Sequence, residues 1–261
     1  MDGQTVQALI QINQVFYEEY GEPFAATRQR IQPGIMRLMR DISMQGDWLD
    51  LGCGNGAVLS AWSDIAVRGS FTGLDFSQVL LKEAELRAES VRKTGKNVWL
   101  QQANIGGGDW GSVLSALSKK ADAFPKKFDG VMSFATIHHI PGYQNRLAFF
   151  QQIYQWLKPG GIVLLSCWQF QNSPKLVKRI QPWSMVSIDF DQLEPGDTLL
   201  DWRAHAPGQS EKTGLRYVHL LSHEELAKLS SESGFEVIQT FESDGEGGRL
   251  GLYQVWKQYP G

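Results

Sequence analysis

Cys53 and Cys167 are the only cysteines in the sequence. That is too few for a disulfide framework, so a reducing cytoplasm is the expected setting. Together with five histidines they show no zinc-ligand spacing, and no catalytic metal is expected. Apolar runs long enough to span a bilayer are missing, and the polar start MDGQTVQ lacks the charged and apolar regions of a secretory leader, so no membrane partner is expected. Positive charge is not in excess either. Lys and Arg number 25 against 28 Asp and Glu, a net charge of -3, so a nucleic-acid partner would have to be met by a local patch. Internal repeats, low-complexity tracts and long like-charge runs are absent as well.

What is present is a chain of 261 residues, 42% hydrophobic and 20% charged, enough for one α/β domain with insertions. Apolar residues at helical spacing from Val6 to Tyr20, and again from Ile31 to Met44 after a Gly-Glu-Pro break, predict helices across residues 1–46. Asp47 to Leu51 reads as a buried strand that runs through Gly52, Gly54 and Gly56 into a helix from Ala57. Strands follow at Phe71 to Leu74, Val98 to Gln102, Phe128 to Phe134 and Ile162 to Ser166. Between them lie helices Gln78 to Lys93, with Ser77 as N-cap, about Ser112 to Lys120, and Asn145 to Trp156, the last stopped by Lys158-Pro-Gly-Gly161.

Residues 167–214 break this rhythm with prolines and scattered aromatics and read as an inserted lid or substrate-recognition region. Helix Ser222 to Ser233 and strands Phe235 to Glu242 and Arg249 to Trp256 close the chain, the two strands forming an antiparallel pair at one sheet edge. The predicted fold is α/β: a doubly wound, Rossmann-like, seven-stranded, mostly parallel sheet with an antiparallel C-terminal strand.

Gly52 to Ala57 fits the dinucleotide pattern G-x-G-x-x-A, and Asp75 stands near the place of a ribose-binding acid. Asp50, just before the turn, argues against a pyrophosphate and suits a cationic ligand. DLGCGNG at Asp50 to Gly56 resembles the first motif of class I S-adenosylmethionine (SAM)-dependent methyltransferases. KKFDGVMSFATIHHI (Lys126 to Ile140) and LKPGGIVLLS (Leu157 to Ser166) resemble the fourth-strand segment and the turn before strand five of that superfamily. The resemblance implies SAM as cofactor, held by Asp50, Gly52, Cys53, Gly54, Gly56, Asp75, Phe76, Asn104 and Ile105. Asn104 stands where many relatives have an adenine-binding Asp, and its side-chain oxygen can still accept a hydrogen bond. Its plainer reading is a loop cap, as Cys53's is a small packing residue.

LRYVHLLSHEELAKLSSESGFEV (Leu215 to Val237) and SDGEGGRLGLYQVW (Ser243 to Trp256) are similar to the C-terminal part of the tRNA wobble-uridine carboxymethyl methyltransferases. That narrower resemblance implies an anticodon-loop substrate, allows a small activating subunit, and places Arg28, His138 or His139, and Arg216 in the substrate pocket. A carboxylate, with a pKa of about 4, is already anionic at pH 7 and needs placement, not a general base. A guanidinium can supply that placement by a two-pronged hydrogen bond to a carboxylate or phosphate.

Plainer readings stand beside these. Arg28 as a solvated charge, His138 and His139 as packed strand caps, and Arg216 and His219 as ties for the lid are all compatible with the sequence. Lys175, Lys178, Arg179 and Trp183 could track a phosphate backbone or form an amphipathic element laid on the core. A small-molecule methyltransferase and a non-catalytic SAM-binding partner are the alternatives in function.

Overall fold

In the computed structural model, residues 1–26, 30–204 and 212–259 are described. Five parallel strands carry the fold: β1 (Trp48–Leu51), β2 (Ser70–Asp75), β3 (Asn97–Gln102), β4 (Phe128–Phe134) and β5 (Leu157–Trp168). They are joined to β9 (Phe235–Ser243) and β10 (Gly251–Gln258) in the order β3-β2-β1-β4-β5-β10-β9. The last strand runs antiparallel to both neighbours. This is the expected seven-stranded sheet.

Alternation along β1 shows why two layers of helix are needed. Trp48 joins one apolar cluster, with Trp62, Phe71 and Met132, under helices α2 (Pro33–Asp41), α3 (Ala57–Ile65) and α4 (Gln78–Arg92). Leu49 and Leu51 join the other, with Phe128, Phe150 and Trp256, under α5 (Trp110–Lys120), α6 (Tyr143–Trp156) and α8 (His223–Glu232). Side chains on successive strand residues point to opposite faces, so a strand buried on both sides is apolar on both, and Asp50 is the exception in β1. Local signals fix the helix starts. Ser77 Oγ accepts the Leu80 N–H at 3.3 Å and Ser222 Oγ that of Glu225 at 3.0 Å.

Three elements depart from expectation. Helix α1 (Gly3–Ala26) does not stop at Gly21-Glu22-Pro23 but runs through Pro23. Its packing on α4 and on the inserted region outweighs the hydrogen bond that proline removes. Helix α2 starts at Pro33, whose fixed φ suits the first helical turn, and Ile42 has already left the helix. The Pro-Gly-Gly turn is not a separate stop. Leu157 already pairs with Phe128, and the turn bulges before Ile162 pairs with Gly130.

The inserted region, read from the sequence as a lid or substrate-recognition region, has a sheet of its own. Strands β6 (Ile180–Gln181), β7 (Asp197–Ala204) and β8 (Lys212–His219) pair antiparallel, after the short helix α7 (Pro174–Val177). The α1 rings of Phe16 and Tyr20 lie 5.8 and 5.7 Å from the Trp202 ring of β7. Helix and insertion therefore close together over the carboxyl ends of the parallel strands. Among the described residues no helix is long and apolar enough to cross a membrane.

Candidate active site

The turn after β1 is held against β2, with the Gly52 and Cys53 N–H groups both donating to the Leu74 carbonyl at 2.8 and 3.1 Å. Gly54 has φ +54°, and a Cβ added there would meet nothing within 4 Å. Its backbone thus demands a left-handed conformation while its open side faces a cavity. Gly56 differs. It precedes α3, and a Cβ added there would lie 3.1 Å from Ala84 of α4, so it serves helix packing and lines neither of the two cavities at this end of the sheet.

The smaller cavity, about 200 Å³, lies beyond the ends of β1, β2 and β3. Its walls include Ile10 and Tyr17 of α1, Asp75 at the end of β2 and Phe76 after it, and Asn104 and Ile105 after β3. Asp75 accepts the Gly54 N–H at 2.8 Å and the Ser77 N–H at 2.9 Å. Burial raises its pKa, and those backbone bonds oppose the rise. The Asn104 side-chain oxygen accepts the Gly107 N–H at 3.0 Å, so it caps its loop while facing the cavity. Tyr17 meets Phe76 edge-on at 5.4 Å.

A larger cavity, about 580 Å³, shares Tyr17, Gly52, Phe134, Ala135 and His139 with the first and extends under the insertion. Asp50 lines it and is 2% exposed, and its Oδ2 has no hydrogen-bond partner among the described residues. Burial, reinforced by the nearby Asp75 carboxylate, pushes the Asp50 carboxyl up to about 8. Cys53 and Cys167 are buried in the same wall, and burial raises both thiols, so neither is an activated nucleophile. Ala135, between the cavities, has φ +53°, a strained conformation of the kind that gathers at functional sites.

The two histidines after β4 sit in different hydrogen-bond settings. His138, 2% exposed, accepts the Trp168 N–H at its Nδ1 (3.3 Å). His139 has Nδ1 3.0 Å from the Tyr217 carbonyl and Nε2 3.2 Å from the Tyr17 hydroxyl. The carbonyl can only accept, so Nδ1 carries the proton and Nε2 accepts from Tyr17. Arg216 of β8 is 3% exposed, with its guanidinium carbon 4.9 Å from the Phe16 ring and 5.3 Å from the Trp168 ring. It lines the larger cavity with His138 and His139. Arg28, the fourth residue expected there, lies outside the described residues.

Sequence reasoning missed several wall residues. Tyr17 and Asn13 belong to a helix whose polar positions carried no motif, and Asp201, Trp202 and Arg203 come from the unforeseen strand β7. Lys175 and Arg179 line the larger cavity, whereas Lys178 is exposed and Lys178 and Trp183 are not in its wall. Glu194, Asp197 and His219 bring possible metal-ligand atoms within 4.8 Å of one another. Protein partners already engage all three. Asp197 Oδ1 meets His219 Nδ1 at 2.7 Å, His219 Nε2 meets Glu225 at 2.9 Å, and Arg146 joins Glu194 and Glu225 at 2.6 and 2.7 Å. This cluster is an ionic clasp between the insertion and the helices α6 and α8.

Comparison with known proteins agrees with the architecture. The chain is 27% identical over 225 residues to an Encephalitozoon cuniculi protein named as a methyltransferase, covering 85% of this chain and 86% of that one. It is 26% identical over 159 residues to the tRNA (carboxymethyluridine(34)-5-O)-methyltransferase ALKBH8 of Macaca fascicularis, covering 60% of this chain but only 20% of the relative. A solved S-adenosylmethionine-dependent methyltransferase from Clostridium acetobutylicum superposes with TM-score 0.60 at 16% identity, over 86% of this chain and 88% of the other, a likeness of fold. The methyltransferase domain family matches residues 24–240. With its sheet order, its glycine turn after β1 and a family match across most of its length, the chain belongs to the methyltransferase domain family.

Proposed function

We propose that this protein methylates a carboxylate oxygen, with the carboxymethyl group of a tRNA wobble uridine as the leading acceptor. The donor is SAM, and the residues present fit it. Asp50 offers a buried carboxylate oxygen with no hydrogen-bond partner among the described residues, and Gly54 leaves its side-chain position open. The smaller cavity combines a carboxylate, apolar side chains and an amide. Asp50 and the backbone of Gly52, Cys53 and Gly54 would hold the cationic methionine end, with Gly56 seating the turn on α4. Asp75 would accept the ribose hydroxyls, while Phe76 and Ile105 flank the adenine and Asn104 meets its amino group. Bound there, SAM supplies an electrophilic methyl group on a sulfonium.

The observation that carries the carboxylate reading is Arg216, a permanent cation buried in the wall of the larger cavity. Such a cation suits an anionic acceptor, and its flanking Phe16 and Trp168 rings limit how far it can swing. Both ring nitrogens of His139 are engaged, and His138 Nδ1 is engaged by Trp168. Neither histidine is set up as a strong general base, and a carboxylate needs none. His138 and His139 instead shape the wall where the two cavities meet.

The uridine part of the proposal draws on the macaque relative, of which this chain spans 20%. The test is to incubate the protein with methyl-labelled SAM and tRNA carrying carboxymethyluridine, then treat the RNA with mild base. Label that enters RNA and leaves as methanol supports the ester. Base-stable label in RNA refutes the carboxylate, and transfer only to small carboxylic acids refutes the RNA. Absence of transfer that is cured by adding a cell extract would point to an activating subunit.

A further inference from the structure

The larger cavity has a second cationic region, apart from Arg216. Asp201 of β7 is buried, with its side chain 3% exposed. Arg203 bonds its Oδ2 through Nε at 3.0 Å and Nη2 at 2.9 Å, a two-pronged clamp. Arg179, which precedes β6, approaches from the other side and stands 3.8 Å from Oδ1. That is an ion pair without a hydrogen bond, so the Arg179 guanidinium does not spend its N–H groups on this carboxylate. Strand pairing fixes the arrangement, because the Asp201 N–H donates to the Arg179 carbonyl at 2.9 Å.

The Arg203 clamp takes up the single charge of Asp201, so the Arg179 guanidinium adds a positive charge beside it. Lys175, exposed on α7, adds another in the same wall. The acidic residues of that wall do not cancel it. Among the described residues of that wall, the acids Asp50, Asp201 and Asp244 are outnumbered by the cations Lys175, Arg179, Arg203 and Arg216. A cluster of arginines pre-positioned by a buried acid is suited to phosphate, whose oxygens match the planar fork of a guanidinium. At about 580 Å³ the cavity has room for more than a bare carboxylate.

We infer that Arg179 and Arg203, braced on Asp201 and joined by Lys175, form a phosphate-binding subsite, so that the acceptor carries a phosphate ester as well as the group that is methylated. This rests on the carboxylate reading for the methylated group and on the cavity wall alone for the phosphate. Trp202, which follows Asp201 and packs on Phe16 and Tyr20, lines the same cavity.

The test compares methyl transfer to 5-carboxymethyluridine with transfer to its 3′,5′-bisphosphate, and separately measures calorimetric binding of uridine 3′,5′-bisphosphate. The bisphosphate should be preferred by at least about tenfold in kcat/KM, and the preference should shrink as salt is added. Arg179→Gln and Lys175→Gln should each bring the preference toward parity, whereas Lys178→Gln should keep it. Arg179→Gln leaves Arg203 on Asp201, and Lys175 is exposed, so thermal melting should verify that both variants fold. Equal use of nucleoside and bisphosphate overturns the subsite while the carboxylate reading stands. No transfer to either, with uridine bisphosphate still bound by the wild type and lost in Arg179→Gln, overturns the carboxylate reading and keeps the subsite. Neither transfer nor binding overturns both.

Discussion

Asn13 and Tyr217 form a two-way amide pair: the Tyr217 N–H donates to Asn13 Oδ1 at 2.9 Å, and Asn13 Nδ2 donates to the Tyr217 carbonyl at 3.1 Å. A side chain of α1 thus behaves like an extra strand residue on β8. The same Tyr217 carbonyl receives His139, which fixes the tautomer at the junction of the two cavities. Asn13→Ala would leave the buried Tyr217 N–H without its Asn13 partner and the carbonyl with His139 alone, at a cost of about 1–3 kcal/mol. Urea denaturation should record that loss, and Asn13→Asp should not restore the wild-type value, because a carboxylate cannot donate to the carbonyl.

Gly54 separates folding from binding. Its φ of +54° makes any side chain there cost about 1–2 kcal/mol, yet an added Cβ meets no protein atom within 4 Å. Gly54→Val should therefore fold, with a modest drop in melting temperature, while its side chain occupies the smaller cavity. Calorimetry should find SAM affinity lowered by at least about tenfold, well beyond the conformational penalty. Unchanged affinity would show that no ligand uses that face.

Much of this was legible in the sequence, for local reasons. Gly52, Gly54 and Gly56 mark a turn that few other residues can make, Ser77 announces a helix start, and Phe128–Phe134 is an apolar run of strand length. The inserted sheet was not legible. Leu199 and Leu200 are both buried, so β7 shows no simple alternation, and β6 is only two residues long. Pro23 misled because local propensity at one residue lost to packing along all of α1. On the site, Asp50, Asp75 and Asn104 stood in motifs and lie in the cavity walls. Asp201 and Arg203 stood in none, and the strand pairing alone brings them beside Arg179.

Asp50 predicts a proton-linked cofactor site. Its folded pKa of about 8 lies above the usual carboxylate range, so between roughly pH 4 and 8 the folded protein keeps a proton that the unfolded chain has lost. Stability without ligand should thus fall as pH rises across that window. A cationic ligand beside Asp50 favours the charged form, so SAM affinity should rise over the same range and binding should release protons. Calorimetry in two buffers of different ionisation enthalpy measures that release. Asp50→Asn should abolish the difference between the buffers, and a difference that persists would assign the proton to another group, Asp75 first.

His219 makes the opposite kind of link. Burial alone would lower its pKa, but hydrogen bonds to Asp197 and Glu225 outweigh burial and leave it raised above 6.5. Glu225 in turn is lowered: burial would raise it, and His219 and Arg146 overcome that. A raised histidine stabilises the fold fully below its unfolded pKa of about 6.5, and the contribution is lost as pH climbs through the folded value. The clasp should therefore weaken on the alkaline side, where the insertion is tied to α6 and α8. His219→Gln would leave Asp197 without its cation and Glu225 with Arg146 alone, costing about 3–5 kcal/mol near pH 6. The cost should shrink as pH climbs through the raised folded pKa, where the wild type loses the same charge. Denaturation curves of both proteins from pH 6 upward decide it. A constant difference would mean that His219 does not change its charge over that range, which refutes the link.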